Sequence, residues 1–91
     1  MTDLMAIQLK YDLPTLLAKI LLLMIEHRLV TATMIEAEYD LTRNGKVAIA
    51  RLRKRLEGHS IDINSRRELG YWISPEKREE LAAALKSDIA A

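Results

Sequence analysis

The sequence predicts a mainly α fold with a small β-sheet, built as a three-helix core, a β-hairpin and a C-terminal helix in a single domain spanning 1–91. Three observations predict it. Apolar residues recur at spacings of three and four through most of 14–57, and the period changes to alternation after Gly58. Phe is absent and aromatics make up only 4% of the 91 residues, so the core must come from Leu, Ile, Val, Met and Ala. That supply suits packed helices better than stacked sheets, and a chain of this length holds one core.

Taken in order, residues 5–11 carry Ile7, Leu9 and Tyr11 in alternation and read as a short strand. Asp12 and Pro14 suit a helix start, with proline in the first turn and the acid near the positive end of the dipole. From Pro14 to about His27, Leu16, Leu17, Ile20, Leu21, Met24 and Ile25 line one face of a long helix. Arg28 to Val30 form a link. Thr31 then caps a second helix running to about Tyr39, with Met34, Ile35 and Tyr39 toward the core; Thr33 with Glu36 offers an alternative capping box. Asp40 to Asn44 are turn-rich, and Thr42 caps a third helix that reaches about Glu57 before Gly58 stops it. Gly45 in its first turn either costs about 1 kcal/mol relative to Ala or permits close approach of another backbone. Ile61 and Ile63, then Leu69, Tyr71 and Ile73, alternate as two strands joined through Ser65–Glu68. Ser74 and Pro75 open the last helix, about 75–88, with Leu81 and Leu85 on its apolar stripe, available to the monomer core or to a second protomer.

The totals exclude several classes. No Cys is present, which removes disulfides, thiolate zinc sites and thiol catalysis. The longest apolar run, Ile20 to Ile25, is far short of the roughly 18 residues a membrane helix needs, and no basic, small-residue leader opens the chain. A cytoplasmic protein without membrane contact is expected. His27 and His59 have no histidine at ligand spacing, so no metal is expected. Glu36 and Glu38 lie two apart on a helix and do not face each other. Ser60 and Ser65 have no recognisable base, and Gly45, Gly58 and Gly70 are too dispersed for a phosphate loop. No catalytic residue, cofactor or enzyme activity is expected.

Charge is the informative quantity. Residues 1–42 hold three basic and six acidic side chains, 43–67 eight and two, and 68–91 three and five. The net charge of +1 therefore hides a central block of +6, a directed field rather than a uniformly sticky surface. On the third helix Ile49, Leu52 and Leu56 fall on one seam with Gly45 beside them. The opposite side collects Asn44, Val47, Arg51 and Lys54, flanked by Arg43, Ala50 and Arg55, and Lys46 adds a further cation. An apolar seam to seat the helix and a cationic face to project are what a helix lying in the major groove requires. Arg66 and Arg67 at the hairpin tip can reach phosphates or the adjacent minor groove.

The run Gly45-Lys46-Val47-Ala48-Ile49-Ala50-Arg51-Leu52-Arg53-Lys54-Arg55-Leu56, followed by Ser65-Arg66-Arg67-Glu68-Leu69-Gly70-Tyr71, resembles the winged helix-turn-helix output domain of OmpR/PhoB-type response regulators. There, an Arg-Leu-Arg-Lys-Lys-Leu-like helix end precedes a wing closing on a Thr-Val-Arg-Gly-x-Gly-Tyr-like run. The resemblance covers residues 5–73 and implies sequence-specific double-stranded DNA binding, with a recognition helix at about 43–57 and a wing at 61–73. It places Arg51 and Arg55 near the major groove, makes Arg67 the wing arginine, gives Leu52, Leu56 and Tyr71 packing roles, and leaves Arg53 partly structural. No receiver domain is included, so the expectation is a stand-alone transcriptional regulator, of a phage or mobile element. A DNA-bending, excisionase-like accessory factor and a winged-helix protein-interaction module acting as an antiactivator are the alternatives. Homodimers or tandem copies on DNA, and contact with RNA polymerase or a recombinase, are compatible partners.

Overall fold

A computed structural model describes residues 3–38 and 45–90, with side chains described as far as Lys86. These residues are mainly helical with one small antiparallel sheet. The elements are α1 (Asp3–Tyr11), α2 (Thr15–Glu26), α3 (Ala32–Glu38), α4 (Gly45–Arg55), β1 (Asn64–Arg66), β2 (Gly70–Trp72) and α5 (Pro75–Ala90).

The strand expected over 5–11 is instead helix α1. Its residues satisfy both periods, but Leu, Met, Ala, Gln and Lys are strong helix formers, and Asp3 and Lys10 lie at the ends where the helix dipole favours them. The helical register buries Ala6, Ile7 and Tyr11 and leaves Leu9 exposed, which alternation would have placed with Ile7 and Tyr11. The helix closes with Asp12 in the left-handed region (φ 52°) and the Leu13 amide donating to the Gln8 carbonyl at 3.2 Å. This six-to-one bond is a Schellman closure, with Leu13 buried as its apolar partner.

Pro14 precedes α2 as an extended N-cap (φ −57°, ψ 153°) rather than standing in the first turn, and no side chain caps this end. Alpha-2 is the central beam: Ala18, Ile20, Leu21 and Met24 are fully buried, and α1, α4 and α5 pack around it. His27 closes α2 in an extended conformation, the chain bends at Arg28, and Val30 exchanges two backbone hydrogen bonds with Tyr71, at 2.9 and 2.7 Å. Thr31 caps α3 as expected, its Oγ1 accepting from the Met34 amide at 3.0 Å. The alternative Thr33–Glu36 box does not close, because Glu36 bonds elsewhere. Tyr39, the Asp40–Asn44 turn and the Thr42 cap lie outside the described residues.

Gly58 (φ 87°) follows α4 as anticipated. The hairpin is shorter than alternation suggests. Ile61 and Ile63 are buried but precede β1, and the turn falls at 67–69 rather than 65–68. Register pairs Asn64 with Trp72, Ser65 with Tyr71 and Arg66 with Gly70. Gly70 is required twice over: its φ is 136°, and a Cβ there would stand 2.7 Å from the Val30 carbonyl oxygen. On α5, Leu81 and Leu85 are buried in the same core, and the helix packs on α1 and α2, so its stripe completes the monomer. No helix among the described residues is long and apolar enough to cross a membrane.

Asp12 holds a left-handed backbone that costs an L-residue about 1 kcal/mol. Asp12→Gly is expected to raise the unfolding free energy by up to about that amount, read as a higher urea midpoint with an unchanged slope.

Candidate nucleic-acid interface

Alpha-4 is seated by a narrow stripe. Ala48, Ile49, Leu52 and the following Leu56 are buried, with Gly45 beside them at the start of the helix. At Gly45 the helix meets the backbone of α3: a Cβ would lie 2.8 Å from the Ala32 carbonyl oxygen and 3.1 Å from its Cα. The glycine is therefore a contact glycine, and any side chain would push α4 off α3. The half-buried Glu36 of α3 completes the joint, its Oε2 accepting from the Gly45 amide at 3.0 Å. A carboxylate from a neighbouring helix thus satisfies one of the unpaired amides of the first turn and complements the dipole.

The remaining circumference of α4 is exposed and carries Lys46, Val47, Ala50, Arg51, Arg53, Lys54 and Arg55, with no acid in the helix. None of Lys46, Arg51, Lys54 or Arg55 has a carboxylate within salt-bridge reach among the described residues, nor do Arg66 and Arg67. Unneutralised cations on one surface produce a field that attracts anions.

That surface has two flanks. On one side Arg51, Lys54 and Arg55, with the single acid Glu57, share a groove with Pro14, Leu16 and Leu17 around the start of α2. On the other, Lys46 and Arg53 share a cleft with Arg66, Arg67, Glu68 and Tyr71 of the hairpin and with Thr31 and Thr33. Val47, 47% exposed, stands on the outer face. Lys46, Val47, Arg51, Lys54, Arg55, Arg66 and Arg67 thus all lie on this side of the molecule, but distributed over two grooves rather than one. Arg43 and Asn44 fall outside the described residues.

Arg53 is the link between helix and hairpin. Its Nε and Nη2 donate to the Ile63 carbonyl at 3.2 and 2.9 Å, and its guanidinium carbon lies 5.9 Å from the Tyr71 ring centroid. The fork fixes where β1 begins relative to α4. At the tip the Leu69 amide donates to the Arg66 carbonyl at 3.0 Å, and Glu68 occupies the third turn position with φ 69°, a conformation that favours Gly or Asn. Leu69, read as an inward strand residue, belongs to this turn and is 46% exposed.

Sequence reasoning did not find the role of Glu36, which reads as part of a local capping box; its bond to Gly45 becomes visible only once α3 and α4 are docked. The partly structural role that the resemblance implies for Arg53 agrees with its fork, but the acceptor, a backbone carbonyl, leaves no trace in the sequence. No protein-family model, curated protein or solved structure matches the chain.

Arg53→Lys keeps the charge but loses the fork, and is expected to lower stability by about 1 kcal/mol and to speed amide exchange in β1 and β2. Glu68→Gly relieves the strained turn and should stabilise the hairpin by about 1 kcal/mol, read from the same exchange experiment.

Proposed function

We propose that this chain binds double-stranded DNA as a winged helix-turn-helix transcriptional regulator, with α4 as recognition helix in the major groove and the β1–β2 hairpin as wing. The observation that carries the reading is the set of exposed, unpaired cations Lys46, Arg51, Lys54, Arg55, Arg66 and Arg67 around one helix that is itself locked from behind. Three further features support it. Alpha-3 packs on α4 and can brace it, as the first helix of such a pair does across the DNA backbone. Val30 pairs with Tyr71 and adds a bridge of sheet between the α2–α3 link and the hairpin. A helix of roughly 10–12 Å diameter fits a major groove roughly 12 Å wide.

In this reading Arg51 faces base edges, where arginine pairs with the O6 and N7 of guanine, and Val47 offers an apolar contact to a thymine methyl. Lys54, Arg55, Arg66 and Arg67 neutralise phosphates on either side of the groove. Pro14, Leu16 and Val47, apolar neighbours of Arg51, favour a second reading in which this groove takes a protein segment, as an antiactivator would.

Selection from a randomised duplex pool at two salt concentrations tests the proposal. The expected result is an enriched motif, lost in an Arg51→Ala/Arg55→Ala variant of unchanged thermal stability, with a log–log salt slope of about −0.9 per phosphate engaged. Binding without enrichment selects an architectural, DNA-bending role. Absence of binding at low salt removes the DNA reading and leaves the protein-segment one.

A further inference from the structure

The groove between α4 and the start of α2 combines two chemistries. Its apolar part is Pro14 and Val47, both exposed, and the half-buried Leu16, over a floor of Leu17 and Ala48. Its charged part is Arg51, Lys54 and Arg55, exposed and without a carboxylate in salt-bridge reach among the described residues. Spaced three and four apart, these cations share one side of α4 over about 6 Å of its length. The start of α2 has the same sign, since no side chain caps it and its first turn holds no acid. The volume of about 900 Å³ is that of a ligand site rather than of a crevice between side chains. A phosphate backbone answers the cations and leaves the apolar residues without a partner. A purely apolar segment does the reverse. An amphipathic helix with acids beside its apolar stripe answers both, because its residues three and four apart share a face, as the cations do.

We propose that this groove docks an acidic amphipathic helix of a partner protein, and that such a partner closes the DNA face by occupying it. The apolar residues of the partner lie on Pro14, Leu16 and Val47, and its carboxylates meet Arg51, Lys54 and Arg55. Glu57, the one acid of the groove, follows α4 and repels acids placed beyond Arg55. The docking deepens the protein-segment reading above, and its regulatory consequence rests on the DNA-binding one. Arg51 cannot hold a carboxylate and a base edge at once, so partner and DNA exclude each other.

Random peptides of about 12 residues, roughly three helical turns, are displayed and selected on the immobilised full chain, and enriched sequences are made as labelled peptides. The expected sequences carry Leu, Ile, Met or Phe at helical spacing, flanked by Asp and Glu. Their affinity is expected to fall about tenfold or more in Val47→Glu, and likewise in Arg51→Ala/Arg55→Ala, with thermal melts confirming that each variant is folded. Exchanging the acids of the peptide for Asn and Gln should cost a similar factor. A random-sequence duplex should displace the bound peptide at low salt. If no sequence is enriched, or if Val47→Glu leaves peptide binding unchanged, the docking proposal is overturned. Enrichment of apolar peptides without acids, still lost in Val47→Glu, overturns the acidic partner while the protein-segment reading survives. A duplex that binds without displacing the peptide overturns the regulatory consequence. If the parent chain binds no duplex at low salt, the DNA-binding reading fails and that consequence with it, a distinct result that leaves the docking to the peptides.

Discussion

The joint between α3 and α4 is the constraint from which the rest of the structure takes its bearings. Two helices whose backbones touch at Gly45 and Ala32 have one crossing position, not a range of them, because close packing leaves neither room to slide nor a void to collapse into. Once α4 is fixed there, its apolar seam can meet only α2, and its cationic side can face only outward. The Glu36 bond belongs to the same joint, so one residue both ties α3 to α4 and satisfies an amide of the first turn of α4.

A second joint lies close by and holds the hairpin. Arg53 holds the Ile63 carbonyl, and Val30 holds both backbone groups of Tyr71. The short hairpin, with three residues in each strand, could not stand alone in water. It borrows order from α4 through a guanidinium and from the α2–α3 link through main-chain bonds. Any partner lying across α4 and the hairpin therefore meets one prearranged surface, which lowers the ordering cost of binding.

Much of this is legible in the sequence alone. Alpha-2, α3, α4 and α5 follow from apolar spacing and from Thr31, Gly58 and Ser74 at their ends. Gly45 could be read as a close-approach glycine because it fell on the buried seam. Alpha-1 was misread, since Ile7 and Tyr11 are four apart and serve a helix as well as they serve a strand. The hairpin slipped because burial and strand pairing parted company: Ile61 and Ile63 are buried without joining the sheet, while the paired residues Asn64 to Arg66 are all exposed. Glu68 hid the turn, since its left-handed backbone is one the sequence would have assigned to glycine. The basic face was visible as a run of charge, but its division into two grooves depends on how α2 and the hairpin approach α4.

The exchange between Val30 and Tyr71 also bears on how the chain reaches this state. The pair closes a loop that encloses α3, α4 and β1, an entropic cost that its two hydrogen bonds help to offset. Alpha-5 closes longer loops still, packing on α1 and α2 from beyond the hairpin, so hairpin and helical core depend on each other. The one tryptophan of the chain, Trp72, follows Tyr71 in the second strand. Its emission therefore reports on the hairpin, the element that Val30 and Arg53 hold in place.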